Sequence, residues 1–349
     1  MKLLNENWEM ARKRLEAFWE GKIIDRPCLQ VFVVDETADE KIDEEPQRYW
    51  TDPATFFRIE RERYLRKKYL GEAFPLLYPL CGGIPAILGA KHVYSPDTIW
   101  REPCATTLEE IDLSVFSLHH PVVQQMSAMV RYCAEQGAGE CFVGFPPMGN
   151  SGDSLAKLRG YADFCADLCD KPETVIALDA QVTQIWKTLY DLLYGIINEH
   201  LEGSTGWLPA WHPRRSALIG FDFGGMISPN HFRRFLPHLL ERANHVEQAI
   251  YHLDGPGALI HLDTLLSLPE FDAIQWEPGA GSGDILSWLP VMHRIQDAGK
   301  GLYVGYHGYE PGEAMVLLEE LRPEGLIIPV KVRNENEGRK FLQQVRERF

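Results

Sequence analysis

The chain has 349 residues, 45% hydrophobic and 24% charged, with a formal net charge of −15. This is the balance of an ordinary globular protein of one large domain or two smaller ones, and no apolar run approaches the ~20 residues of a membrane span. The acidity excludes nucleic acid and anionic membrane as main partners, since both need basic patches; a small anionic substrate stays open, because a local cluster can oppose the global sign.

The chain starts Met1-Lys2-Leu3-Leu4-Asn5-Glu6-Asn7-Trp8, polar and acidic too early for a signal peptide. Seven scattered cysteines without a CxxC pair point to a reduced, cytoplasmic protein rather than a disulfide scaffold. Residues 5–20 carry an amphipathic helix pattern, broken by Asp25-Arg26-Pro27. A first strand covers 28–34 and ends at Asp35. Residues 36–75 read as polar and helical, with Tyr49-Trp50, Phe56-Phe57 and Tyr64 spaced for one buried face. A second strand at 76–80 ends in Cys81-Gly82-Gly83, and 84–110 looks like an insertion or long loop. A helix at 120–138 leads to a third strand at 141–145 and the turn Pro146-Pro147-Met148-Gly149-Asn150.

Long helices follow at 151–168 and 172–201, with Pro172 at the start of the second. Cys165 and Cys169 share a helix face, which suits core packing better than metal binding. The loop 203–213 carries Trp207, Trp211 and His212. Strand four, 217–223, contains Asp222, and Ser228-Pro229 starts the next helix as N-cap and first residue. Strands five to eight fall at 249–254, 273–277, 301–306 and 326–329, before a C-terminal helix at 334–348. Strand–helix alternation implies a parallel sheet. Eight units over this length predict an α/β fold of the (β/α)8 TIM-barrel type. It is a single domain, with a barrel over about 26–349, an N-terminal helical extension and inserted loops. A doubly wound open sheet would show an early Gly-rich phosphate turn, and none follows the first strand.

Barrel enzymes place their chemistry at the strand C-terminal ends. Those ends hold Asp35, Cys81, Asn150, Asp222, His252 with Asp254, Gln275 with Glu277, Tyr306 with His307, and Lys331. Residues two apart on a strand share a face, so His252 and Asp254 project together, as do Gln275 and Glu277. An imidazole beside a carboxylate can bind a metal, relay a proton or grip a polar substrate. Alternatively, Asp254 caps a turn and His252 is a satisfied core histidine. Asn150 opens a helix whose amides suit a carboxylate or phosphate, or the stretch is a simple capped turn. Trp207, Trp211 and His212 form an aromatic wall or lid, or plain packing. Arg214-Arg215 precede the fourth strand and read as surface charges. The run from Glu277 to Gly283 is Gly-rich but lacks the Lys-Ser/Thr of a P-loop.

The stretch Phe221-Asp222-Phe223-Gly224-Gly225-Met226-Ile227-Ser228-Pro229, then Phe232 and Phe235-Leu236-Pro237, resembles the aspartate-bearing turn and helix of the uroporphyrinogen decarboxylase superfamily. Val143-Gly144 through Gly149, Leu155, Leu158-Arg159-Gly160 and Phe164 carry the same resemblance, over roughly residues 20–345. The resemblance implies a (β/α)8 barrel and a homodimer. One branch holds cofactor-free decarboxylases that bind pyrrole nitrogens with an aspartate and acidic side arms with arginines. The other holds zinc-dependent methyltransferases that work with corrinoid proteins and thiols, with a His-x-Cys pair and a later Cys as zinc ligands. This chain departs from both. After Arg26-Pro27 it reads Cys28-Leu29-Gln30-Val31, without the decarboxylases' Arg-rich motif. That argues against a porphyrinogen substrate. The His-x-Cys position reads His252-Leu253-Asp254, and Ile328-Pro329-Val330 stands where the later Cys falls. The stretches around His252 and Glu277 resemble a bacterial branch of the superfamily.

Three readings follow. In the first, a metal-dependent methyltransferase-like enzyme acts on a small substrate with a corrinoid protein as partner. Its zinc is held by His252 and Asp254, with Glu277 or His307 as third ligand, and Asp222 positions substrate or acts as base. Asn150, Trp207, Trp211, His212, Gln275 and Tyr306 line the substrate site. In the second, Asp222 and His252 are the acid–base groups of a cofactor-free decarboxylase or lyase of a small acid. In the third, the chain is a non-catalytic module that binds a small molecule or corrinoid.

Overall fold

The computed structural model describes residue 5, residues 7–33 and residues 43–349. Val34 and Asp35, expected at the end of the first strand, lie outside the described residues. The strands in chain order are β1 (Cys28–Val33), β2 (Lys68–Gly71), β3 (Leu76–Leu77), β4 (Lys91–Tyr94), β5 (Ile99–Glu102), β6 (Phe142–Val143), β7 (Ser216–Gly220), β8 (Gln248–Asp254), β9 (Ala273–Glu277), β10 (Gly301–Val304) and β11 (Leu326–Val332). All eight strand positions read from the sequence are among them. Seven strands form one sheet in the order β2-β1-β11-β10-β9-β8-β7. It is parallel except for β2, which runs antiparallel to β1. β3 and β6 form a separate parallel pair. Main-chain bonds from Gly144 N to Leu77 O (2.8 Å) and from Phe145 N to Thr205 O (3.1 Å) carry that pair toward the segment before β7. The fold is thus α/β with a mostly parallel central sheet.

A parallel strand covered on both faces reads as an apolar run rather than an alternation. All of β9 is buried: Ala273, Ile274 and Trp276, and with them Gln275 and the terminal Glu277. Two polar side chains on one face of a strand that is otherwise apolar mark where chemistry enters the core.

The helices follow their punctuation. Pro121–Gln136 and Pro172–Asn198 each begin with proline, where the missing N–H costs no bond. Ser228 caps Pro229–Ala243 by accepting from His231 N at 3.3 Å. Other expectations are corrected. Helices Pro46–Thr51 and Pro53–Arg66 fill much of 36–75, but 68–71 is a strand, because Tyr69 and Leu70 bury against β1. Segment 84–110 is no plain loop: it holds the β4–β5 hairpin and a short helix, Ile84–Ile87. The helix expected at 151–168 breaks into Ser151–Arg159 and Tyr161–Asp170. Gly160 sits between them at φ +85°, ψ 142°, a region that side chains avoid. Gly160→Ala is expected to destabilise the chain by about 1–3 kcal/mol in urea unfolding; an unchanged midpoint would show that the break is relaxed.

Cys165 and Cys169 are also not core residues. On Tyr161–Asp170 the buried pair is Phe164 and Leu168, and the cysteines, one position further round, face solvent. All seven cysteines are free thiols. Helix Trp8–Trp19 supplies Leu15, Phe18 and Trp19 to a second core cluster with Phe74, Phe142, Trp211, Ile250, Tyr303 and Ile327. Ile250 and Ile327 lie early in β8 and β11, so the cluster closes the N-terminal ends of the strands. Among the described residues, no helix is long and apolar enough to cross a membrane.

Candidate metal centre and its pocket

Three side chains from two adjacent strand ends converge. β8 ends with His252 and Asp254 on one face, and β7 runs into the short turn Asp222–Met226. Asp222, His252 and Asp254 each bring one ligand atom within 4.8 Å of the other two. His252 Nε2 stands 3.9 Å from Asp222 Oδ1. That exceeds a hydrogen bond, so the two atoms are not bonded to each other and both could face a common ion.

The tautomer of His252 follows from its neighbours. Gln275 donates its amide N–H to Gly305 O at 3.3 Å, so its carbonyl oxygen turns toward His252 Nδ1 and accepts from it. Nδ1 therefore carries the proton, and Nε2 presents a lone pair to the two carboxylates. Trp207 holds the imidazole from the side, edge-to-face at 5.3 Å and 87°.

The Asp222 turn is held from below. Asp153, on helix Ser151–Arg159, accepts from Asp222 N at 3.0 Å and Phe223 N at 2.8 Å. Ser151 on the same helix donates to Asp179 at 2.7 Å, and buried Arg242 donates to Gly149 O at 3.1 Å. The Asp222 carboxyl opens into the pocket, its side chain 49% exposed, yet protein encloses it. Burial and then the Asp153 charge push it up to about 6, while His252 and Lys157 pull it down. Glu277 is buried too, and its carboxyl is raised by burial. One of its oxygens accepts from Gly279 N at 3.1 Å, and the other has no hydrogen-bond partner among the described residues.

A cavity of about 300 Å³ adjoins the cluster. Its walls include Phe145, Trp186, Tyr190 and Trp207, and its polar end has Asn150, Lys157, Asp222 and His252. Gly220 forms part of the floor: a Cβ there would stand 3.0 Å from Asn150 Nδ2 and 3.5 Å from His252 Cβ.

The predicted site residues divide accordingly. Asn150, Trp207, Asp222 and His252 line the cavity, and Asp254 joins the ligand cluster. Gln275 lies behind His252, with no exposed surface. Tyr306 stands at the rim, 45% exposed, edge-on to Trp207. The third member of the cluster is Asp222, not Glu277 or His307; His307 is exposed and packs on Tyr306 at 3.8 Å. Trp211 and His212 are corrected outright. They immediately precede β7, which places them at the N-terminal end of the sheet, opposite the cluster. Both are buried: Trp211 packs on Trp8 at 5.4 Å, and His212 pairs main chain with Ser204. Arg214 and Arg215 are surface charges as expected, paired with Glu247 and Asp191. Sequence reasoning gave no role to Lys157, Trp186 and Tyr190. Helical spacing alone puts Trp186 and Tyr190 on the buried face of Pro172–Asn198, which also reads as ordinary core.

No protein-family description matches the chain, and no curated protein matches it by sequence. Among solved structures, the chain is similar to a methyltransferase from Methanosarcina mazei. The TM-score is 0.65 at 13% identity, over 97% of this chain and 98% of that one. A likeness at that identity shows the fold.

Proposed function

We propose that the chain is a metal-dependent, methyltransferase-like enzyme of the uroporphyrinogen decarboxylase superfamily, acting on a small substrate with a corrinoid protein as partner. In this reading β3 and β6 complete an eight-stranded (β/α)8 barrel, and the enzyme is a homodimer. The carrying observation is the convergence of Asp222, His252 and Asp254 at the C-terminal ends of neighbouring strands. One neutral imidazole and two carboxylates suit zinc or a harder divalent ion such as manganese. His252, Asp254 and Asp222 hold the ion, Gln275 orients His252, and the unpartnered oxygen of Glu277 lies beside them as a reserve acceptor. When bound, the ion supplies Lewis-acid activation of a substrate thiol, hydroxyl or amine. The fold of the Methanosarcina mazei methyltransferase supports this choice of reaction class.

Metal content by mass spectrometry tests it. The tag-free protein is expected to hold about one divalent ion per chain, and His252→Ala none. Activity that survives exhaustive chelation would overturn it. That outcome favours the second reading, a cofactor-free carboxy-lyase. Its specific support is the Asp222 carboxyl, raised to about 6 beside a histidine, a pairing suited to proton transfer.

A further inference from the structure

We propose that the pocket takes a small aromatic acid, its ring set against Phe145, Trp186 and Trp207 and its carboxylate held by Lys157. This rests on Asp222, His252 and Asp254 being the reacting end, but the observation that carries it is Lys157. That side chain lines the cavity and makes no hydrogen bond or ion pair among the described residues. Nearby cations are committed. Arg159, two positions on, is held by Asp167 at 2.6 Å and Ala105 O at 2.9 Å, and Arg242 by Thr183 at 3.2 Å and Gly149 O at 3.1 Å. The counter-charge of Lys157 in the site is the Asp222 carboxyl, with which it makes no direct ion pair, so the ammonium is free to turn to an anion that enters the pocket. Asn150 offers a second uncommitted group, since its side chain does not cap its own helix.

Charge and shape narrow the class. A single lysine close to Asp222, in a chain of net charge −15, suits a monoanion; a phosphate dianion recruits several donors. The aromatic lining is a rigid stack: Phe145 and Trp186 each pack on Tyr190, at 4.6 and 5.3 Å, and Tyr190 itself has no exposed surface, so a ring meets Phe145, Trp186 and Trp207. About 300 Å³ lies at the lower limit of small-molecule pockets, which suits a small body.

Tryptophan fluorescence and calorimetry with benzoate and phenylacetate, against benzamide and inorganic phosphate, test this on the full chain. The carboxylates are expected to bind at least tenfold more tightly than benzamide. Lys157→Gln is expected to remove that difference while leaving benzamide binding unchanged, which also shows that the pocket has folded. Lys157→Arg, keeping the charge, is expected to stay within a few-fold of wild type. Carboxylates that bind no better than benzamide, or a Lys157→Gln protein that binds them as before, would overturn the proposal. Phosphate competing equally with benzoate would overturn the monoanion assignment. His252→Ala separates the two readings: carboxylate binding is expected to persist there, whether or not the protein holds an ion.

Discussion

Glu72→Gln is expected to destabilise the chain by about 3–5 kcal/mol, measured by urea unfolding. Glu72 has no exposed surface and accepts four N–H donors. Arg26 clasps it through both terminal nitrogens at 2.6 and 2.9 Å, Arg14 donates at 3.0 Å, and Leu29 N at 2.7 Å. Arg26 is 1% exposed and Arg14 5%. The glutamine amide keeps the volume but removes the charge, and its NH2 faces a guanidinium that has only N–H to offer. Arg14 keeps Asp25 as a partner at 2.6 Å, whereas Arg26 is left with Pro27 O and the one neutral carbonyl oxygen of the glutamine. The loss thus falls mainly on one uncompensated buried cation. The double variant Arg26→Leu with Glu72→Leu removes both charges and is expected to regain part of the loss, since a buried pair is often replaceable by apolar side chains. A single variant that unfolds within ~0.5 kcal/mol of wild type would show that water reaches the cluster.

Gln275→Leu is expected to weaken divalent-ion binding about 10–100-fold while leaving the fold in place, because a residue behind the ligands acts through their orientation. Leucine fills the same space but accepts no hydrogen bond. The His252 ring then loses what fixes its proton on Nδ1, and Nε2 no longer presents a lone pair in every molecule. Gln275→Glu keeps an acceptor and is expected to retain binding. Competitive titration with a chromophoric chelator measures all three proteins. An affinity unchanged in Gln275→Leu would mean that the bond to His252 does not select the tautomer.

The eight parallel strands were legible because each is a short apolar run bounded by Gly, Pro or Asp; β2, β4 and β5 were not, because their residues are mixed polar and apolar. The His252–Asp254 pair was legible because period-two geometry needs only one strand. The third member of the cluster was not, because it depends on where the Asp222 turn bends after β7. That bend is fixed by Asp153, whose carboxylate arrives from a helix about seventy residues upstream. Trp211 and His212 were misplaced for a simpler reason. Their loop passes the whole length of the sheet, and composition does not reveal which end an aromatic occupies. Lys157 was invisible because a lysine on a helix is ordinarily a solvated charge. Only the packing of Ser151–Arg159 against the cavity distinguishes it.

His252 pairs with Gln275 across β8 and β9, and Asp254 with Glu277. Each pair joins residues on one face, so a slip of one residue between the strands would set His252 beside a neighbour of opposite orientation. Such a chain would keep a parallel sheet and an almost native circular-dichroism spectrum, yet hold its imidazole without the acceptor that fixes it. On the proposed metal reading, ion uptake after refolding counts correctly threaded molecules, which bulk spectroscopy does not separate from slipped ones.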